Sequence, residues 1–203
     1  MVRSATILLA AATISFVQPA QAQETGMPTF NAPYRAFTNH EAGVDVSFPD
    51  GGGTAFEGHY RFGRRQLDIG FRAGWFDPGG VADTRVLLGA SVRHRVISRS
   101  ESFPLDGALV VGIGASLADN ANLVSIPAGL SVGRRLTLRN SPVVIIPYAQ
   151  PTLFLLTGDL IDTEVKFALG LGADFRLSPQ FVVRLSGGVG NLEGISLGAV
   201  WVR

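Results

Sequence analysis

The chain has no cysteine, which excludes a disulfide scaffold and any Cys-ligated zinc or iron–sulfur site. Lysine is nearly absent too: of 17 basic residues only Lys166 is a lysine, and the rest are arginine. Charged residues are 16% of the 203, against roughly 25% in an ordinary soluble domain. The net charge of +1 leaves no electrostatic footprint for nucleic acid. His40, His59 and His94 show no H-x-x-x-H or H-x-E spacing, so neither a metal nor another cofactor is expected. No G-x-S-x-G elbow occurs, and Gly112-Ile113-Gly114 and Gly170-Leu171-Gly172 sit inside strand-like pattern, where no helix follows to hold a phosphate. No apolar run is long enough for a spanning helix; the best, 143–156, is broken by Pro147, Gln150 and Pro151.

What is abundant is apolar residue, 46%, together with 25 glycines. Such a chain is not disordered, so its apolar surface has to be placed somewhere. Part of it is an export signal. Arg3 precedes the small and apolar run 5–17, and Ala20-Gln21-Ala22 forms an A-x-A cleavage site. Residues 1–22 therefore read as a cleaved signal peptide, 23–39 as an N-terminal periplasmic segment and 40–203 as the folded domain.

From about residue 40 onward apolar residues recur with period two, the strand period. Leu67, Ile69, Phe71, Ala73 and Trp75 share one face, opposite Asp68, Gly70, Arg72 and Gly74. The same alternation runs through Val86–Arg95, Lys166–Arg176 and Ile195–Trp201. Turn residues (Asp50-Gly-Gly-Gly, Asp77-Pro-Gly-Gly, Asn120-Ala-Asn, Ser178-Pro-Gln) separate about ten strands, near 40–48, 54–62, 66–76, 85–96, 106–117, 123–134, 143–156, 164–177, 180–190 and 194–203. Eight strands is the competing count. The second face is rich in Gly, Ala and Ser in the later strands, a poor surface for water and a suitable one for the crowded inside of a small barrel. The pattern predicts an all-β, up-and-down antiparallel transmembrane β-barrel with its apolar face on lipid.

The connections sort by charge. Alternate ones carry Asp50, Asp77, Asp83, Asp119, Asp159, Asp162, Glu164 and Glu193; the others and the C-terminus carry Arg64, Arg65, Arg99, Arg134, Arg135, Arg139 and Arg203, with Glu101 the only acid. A meander sends alternate connections to opposite ends, so one rim is acidic and the other basic.

With its signal peptide, alternating strands and final apolar strand, the chain resembles the small outer-membrane β-barrel proteins of Gram-negative-type bacteria. The resemblance covers roughly residues 40–203 and implies a location in the cell outer membrane, with outer-membrane lipid, lipopolysaccharide and the outer-membrane assembly machinery as partners. The chain departs from the family's usual aromatic terminus, since Trp201 lies two residues before Arg203.

Inside such a barrel the polar phase collects charge. Glu41, Asp45, Glu57, His59, Arg61, Asp68, Arg72, Arg93 and Arg95 face inward from the first four strands, with Asp174 and Arg184 on a far wall otherwise made mostly of glycine. Both signs are present, so the charges can pair across the lumen. In particular, Arg72 is expected to pair with Glu57 or Asp68. The leading expectation is a structural barrel with a narrow, salt-bridged lumen and no enzymatic activity. The alternatives are a narrow pore for ions or a small solute, a barrel enzyme acting on outer-leaflet lipid with His59 beside Glu57 as its base, and a soluble periplasmic barrel holding an apolar ligand. The last of these needs a polar exterior that the later strands do not supply.

Overall fold

A computed structural model describes residues 24–33, 39–80, 82–119, 121–139 and 141–203. The expected signal peptide, 1–22, lies outside the described residues. Among those residues there is no helix. The strands are β1 (His40–Pro49), β2 (Thr54–Arg64), β3 (Leu67–Asp77), β4 (Arg85–Ile97), β5 (Asp106–Leu117), β6 (Leu123–Gly133), β7 (Leu136–Thr137), β8 (Val144–Gly158), β9 (Ile161–Arg176), β10 (Phe181–Gly190) and β11 (Gly194–Val202). β7 is a two-residue stub paired to the foot of β8. The other ten strands form the wall, each antiparallel to its neighbours. β6 pairs with β8 and β1 with β11, so the sheet closes and no edge is left open. The count is ten, and the order is up-and-down.

Alternation decides which way each side chain points. On β3 the odd positions Ile69, Phe71 and Trp75 are exposed, while Asp68 and Arg72 are buried. β11 repeats this, with Ile195, Leu197 and Trp201 outside and Ser196, Val200 and Val202 inside. The exterior is therefore a belt of Leu, Ile, Val and Phe, with paired aromatics such as Phe56–Trp75, Tyr60–Phe62 and Phe181–Trp201 set into it. Trp75 and Leu197 each keep more than half of their surface exposed, at 53% and 54%. A chain folding in water buries such side chains; here the polar ones take the inside.

The turns follow from local chemistry. Gly52, Gly53, Gly79 and Gly80 adopt positive φ in the Asp-Gly and Pro-Gly turns, a conformation open to residues without a Cβ. Pro127 lacks an N–H, and the β5–β6 ladder breaks there, between Val111↔Ala128 and Gly114↔Ser125. The charge segregation survives in space. Asp50 N bonds Glu193 O, and Asp159 N bonds Asn122 O, at the acidic rim. His40 and Arg203 exchange both backbone hydrogen bonds at the basic one.

Two features depart from the sequence reading. β8 does not present a small or charged face inward: Ile146, Tyr148, Gln150, Thr152, Phe154 and Leu156 all point into the barrel and are buried. More consequentially, the stretch 23–39, expected as a periplasmic lead-in, runs inside the barrel over residues 24–33, all of them buried, and Asn39 is exposed where β1 begins. Pro33 lies by Gly133 at the basic rim, and Glu24 lies against Gly114, three residues from the acidic end of β5.

Candidate functional site

Among the described residues, buried polar and charged side chains concentrate in the lumen, which is built row by row from strand register. One row runs Asp174, Arg184, Gly198, Asp45, Glu57, Gly74 across β9, β10, β11, β1, β2 and β3. A second runs Glu41, Arg61, Gly70, Ser91 from β1 to β4. Arg184, Glu57 and Arg61 each have a glycine beside them in their row: Gly198, Gly74 and Gly70. The glycine is the space the side chain lies in: Arg61 crosses Gly70 to reach Ser91, and a Cβ at Gly70 would strike its guanidinium.

The charges fall into two groups. In the first, Arg72 Nη1 lies 3.1 Å from Asp45 Oδ2 and 3.2 Å from Glu57 Oε2, while His59 Nδ1 is 2.8 Å from the same Asp45 oxygen. In the second, Arg93 Nε donates to both oxygens of Asp68 at 3.0 and 2.9 Å. Asp68 also approaches Arg61 Nε at 3.3 Å, and Arg61 lies 4.0 Å from Glu41. Glu41 reaches Arg184 at 3.8 Å, and Arg184 Nε donates to Asp174 at 2.9 Å. Ten of the eleven residues named from sequence are therefore brought together, all buried. Arg95 is half-exposed, at the β4 bulge between Arg95 and Ile97. The partner expected for Arg72 is corrected in part: Glu57 is one, but the second is Asp45, because Arg93 and Arg61 already occupy Asp68. Burying this many ions is tolerable only because each arginine meets a carboxylate, since an orphaned buried charge costs several kcal/mol.

The glycine wall opposite is not empty. Residues 24–33 fill the space beside Gly112, Gly114 and Gly170, while Tyr148 covers Gly172 and Asp45 covers Gly198. A Cβ at Gly114 would fall on the Glu24 carbonyl, and one at Gly170 would fall in the ring of Phe30. Phe30 packs into an apolar cluster with Ile146, Tyr148, Phe154, Leu156 and Leu192, and Met27 packs with Ala55, Phe76 and Leu87. The wall also grips the segment's main chain. Ser186 Oγ donates to Pro28 O at 3.0 Å, Tyr148 Oη to Phe30 O at 2.8 Å, Ser131 Oγ to Asn31 O at 2.7 Å and Arg93 Nη1 to Ala32 O at 2.7 Å. Arg184 donates to the Asn31 carboxamide, and Thr25 Oγ1 to Glu57. Sequence reasoning missed Thr25, Asn31, Ser131, Tyr148 and Ser186. The signal it did carry was the surplus of inward glycine, a volume assigned to the charged side chains crossing the lumen and shared in the structure with residues 24–33.

Fold and lumen together define a closed ten-stranded β-barrel with an apolar exterior and an occupied, charge-paired interior. No family model matches the chain, and no curated protein matches it. Among solved structures it is similar to a de novo designed transmembrane β-barrel, 14% identical with a TM-score of 0.43, over 84% of this chain and 99% of that one. It is also similar to the β domain of the Bordetella autotransporter BrkA, 11% identical with a TM-score of 0.46, over 81% of this chain and 97% of that one.

Proposed function

We propose that the chain is a bacterial outer-membrane β-barrel, closed at rest and without catalysis. Outer-membrane lipid and lipopolysaccharide surround its belt, and the outer-membrane assembly machinery inserts it. The observation that carries this reading is the inversion of polarity: apolar side chains outside, paired ions and a buried segment inside. A soluble barrel needs the reverse arrangement. In lipid, a closed sheet also leaves no backbone group unsatisfied.

Closure follows from the contents of the lumen. A barrel of this strand number has little interior to spare. Here it holds ten buried Asp, Glu, Arg and His residues of the wall and a segment running from near one rim toward the other. Paired charges of mixed sign favour a sealed interior over ion selection. The test is membrane fractionation followed by planar-bilayer recording of the purified full chain. The expected outcome is extraction from the outer-membrane fraction by detergent only, faster gel migration unboiled than boiled, and no steady conductance. A steady ion current through the wild type would replace this reading with a narrow pore for ions or small solutes.

A further inference from the structure

We infer that the lumen is a binding site for a peptide, of which residues 24–33 are the tethered and exchangeable occupant; this rests on the closed-barrel reading above. The segment is held as a ligand is held. Among the described residues, its only hydrogen bond between backbone groups is its own, Thr29 N to Met27 O at 2.8 Å. Every described hydrogen bond to the wall involves a wall side chain: Ser186, Tyr148, Ser131, Arg93, Arg184 and Glu57. Withdrawing the segment therefore breaks no rung of the ladder that closes the barrel.

The site has the parts of a peptide receptor. Four donors from β4, β6, β8 and β10 reach the main-chain carbonyls of residues 28, 30, 31 and 32, groups that every peptide carries. Selectivity comes from two sockets. One takes the Phe30 ring between the bare backbones of Gly170 and Gly188 and the side chains of Phe154 and Leu192. The other sets the Arg184 guanidinium against the carboxamide of residue 31. The ligand class is thus a peptide with an aromatic side chain followed directly by a carboxamide. When the occupant leaves, Arg93 and Arg184 keep Asp68 and Asp174 as partners, so the emptied lumen does not hold orphaned arginines.

The experiment uses the full chain with Phe30→Ala and Asn31→Ala together, which weakens the occupant and leaves the wall untouched. In planar bilayers this variant is expected to open intermittently where the wild type stays shut. A synthetic peptide of residues 24–33 should close it again, at roughly tenfold lower concentration than the same peptide in reversed order. A variant that stays closed, or equal block by both peptides, overturns the proposal. Retention of the boiled-against-unboiled gel shift certifies the barrel. If the double variant loses that shift, Ser186→Ala, which removes one wall hydroxyl, is judged by the same two outcomes. A conducting wild type sinks the closed-barrel reading on its own, whereas a silent variant beside a silent wild type sinks only the peptide site.

Discussion

At the scale of single residues, the lumen is governed by the cost of leaving a buried ion without its partner. Arg72 is the clearest case, because among the described residues it is the ion-pair partner shared by Asp45 and Glu57. Replacing it with alanine leaves two buried carboxylates facing each other and should destabilise the barrel by about 3–5 kcal/mol. Denaturant unfolding in detergent, followed by gel mobility, measures this; exposed Arg139→Ala should move the midpoint by less than about 0.5 kcal/mol. Loss of Arg72 without loss of stability would mean that the ion pairs contribute nothing. The identity of the buried charges is legible in the sequence, since period two places Asp45, Glu57 and Arg72 on one phase. Their pairing is not. Whether Asp68 goes to Arg72 or to Arg93 depends on the stagger between strands, and Asp68 stands directly opposite Arg93 in the β3–β4 register.

At the scale of the strand, the wall is readable wherever one face meets an apolar surrounding and the other a polar one. Leu88, Leu171 and Leu197 lie on the outer face of β4, β9 and β11. Arginine at any of them should cost roughly 2–4 kcal/mol at mid-depth in a bilayer. Refolding titrations into lipid vesicles would register that cost, and a neutral result at all three would reverse the inside–outside assignment. β8 shows where the rule loses its grip. Its outer positions Leu153 and Leu155 are apolar, and so are its inner positions Phe154 and Leu156. The inner pair is apolar because it faces the cluster that holds Phe30, and nothing within the strand itself records that partner.

At the scale of the whole molecule, the least legible part is the segment inside. Glu24–Pro33 has no period and no motif, and its bonds reach residues 32 to 158 positions away. Such contacts exist only once the barrel has closed, so local pattern cannot announce them. Its sequence context does yield a check. With cleavage after Ala22, the mature chain begins at Gln23, one residue before the buried Glu24. N-terminal sequencing of the membrane-assembled protein should start at Gln23; retention of 1–22 would require those residues to continue beyond Glu24, which already lies near the acidic rim.

The seam between β1 and β11 has a bearing on how the molecule is made. Ser47 and Ser196, hydrogen-bonded across it, are 149 positions apart, and Phe30 and Ser186, joined inside the lumen, are 156 apart. Closing a chain loop of that length is entropically costly, but the cost rises only with the logarithm of its length. Here one closure serves both contacts, because drawing β10 and β11 up to β1 also delivers Ser186 to the segment just ahead of β1. The N-terminal stretch can then act as a mandrel, the form on which the last strands are wound, and the moment of sealing is also the moment of filling.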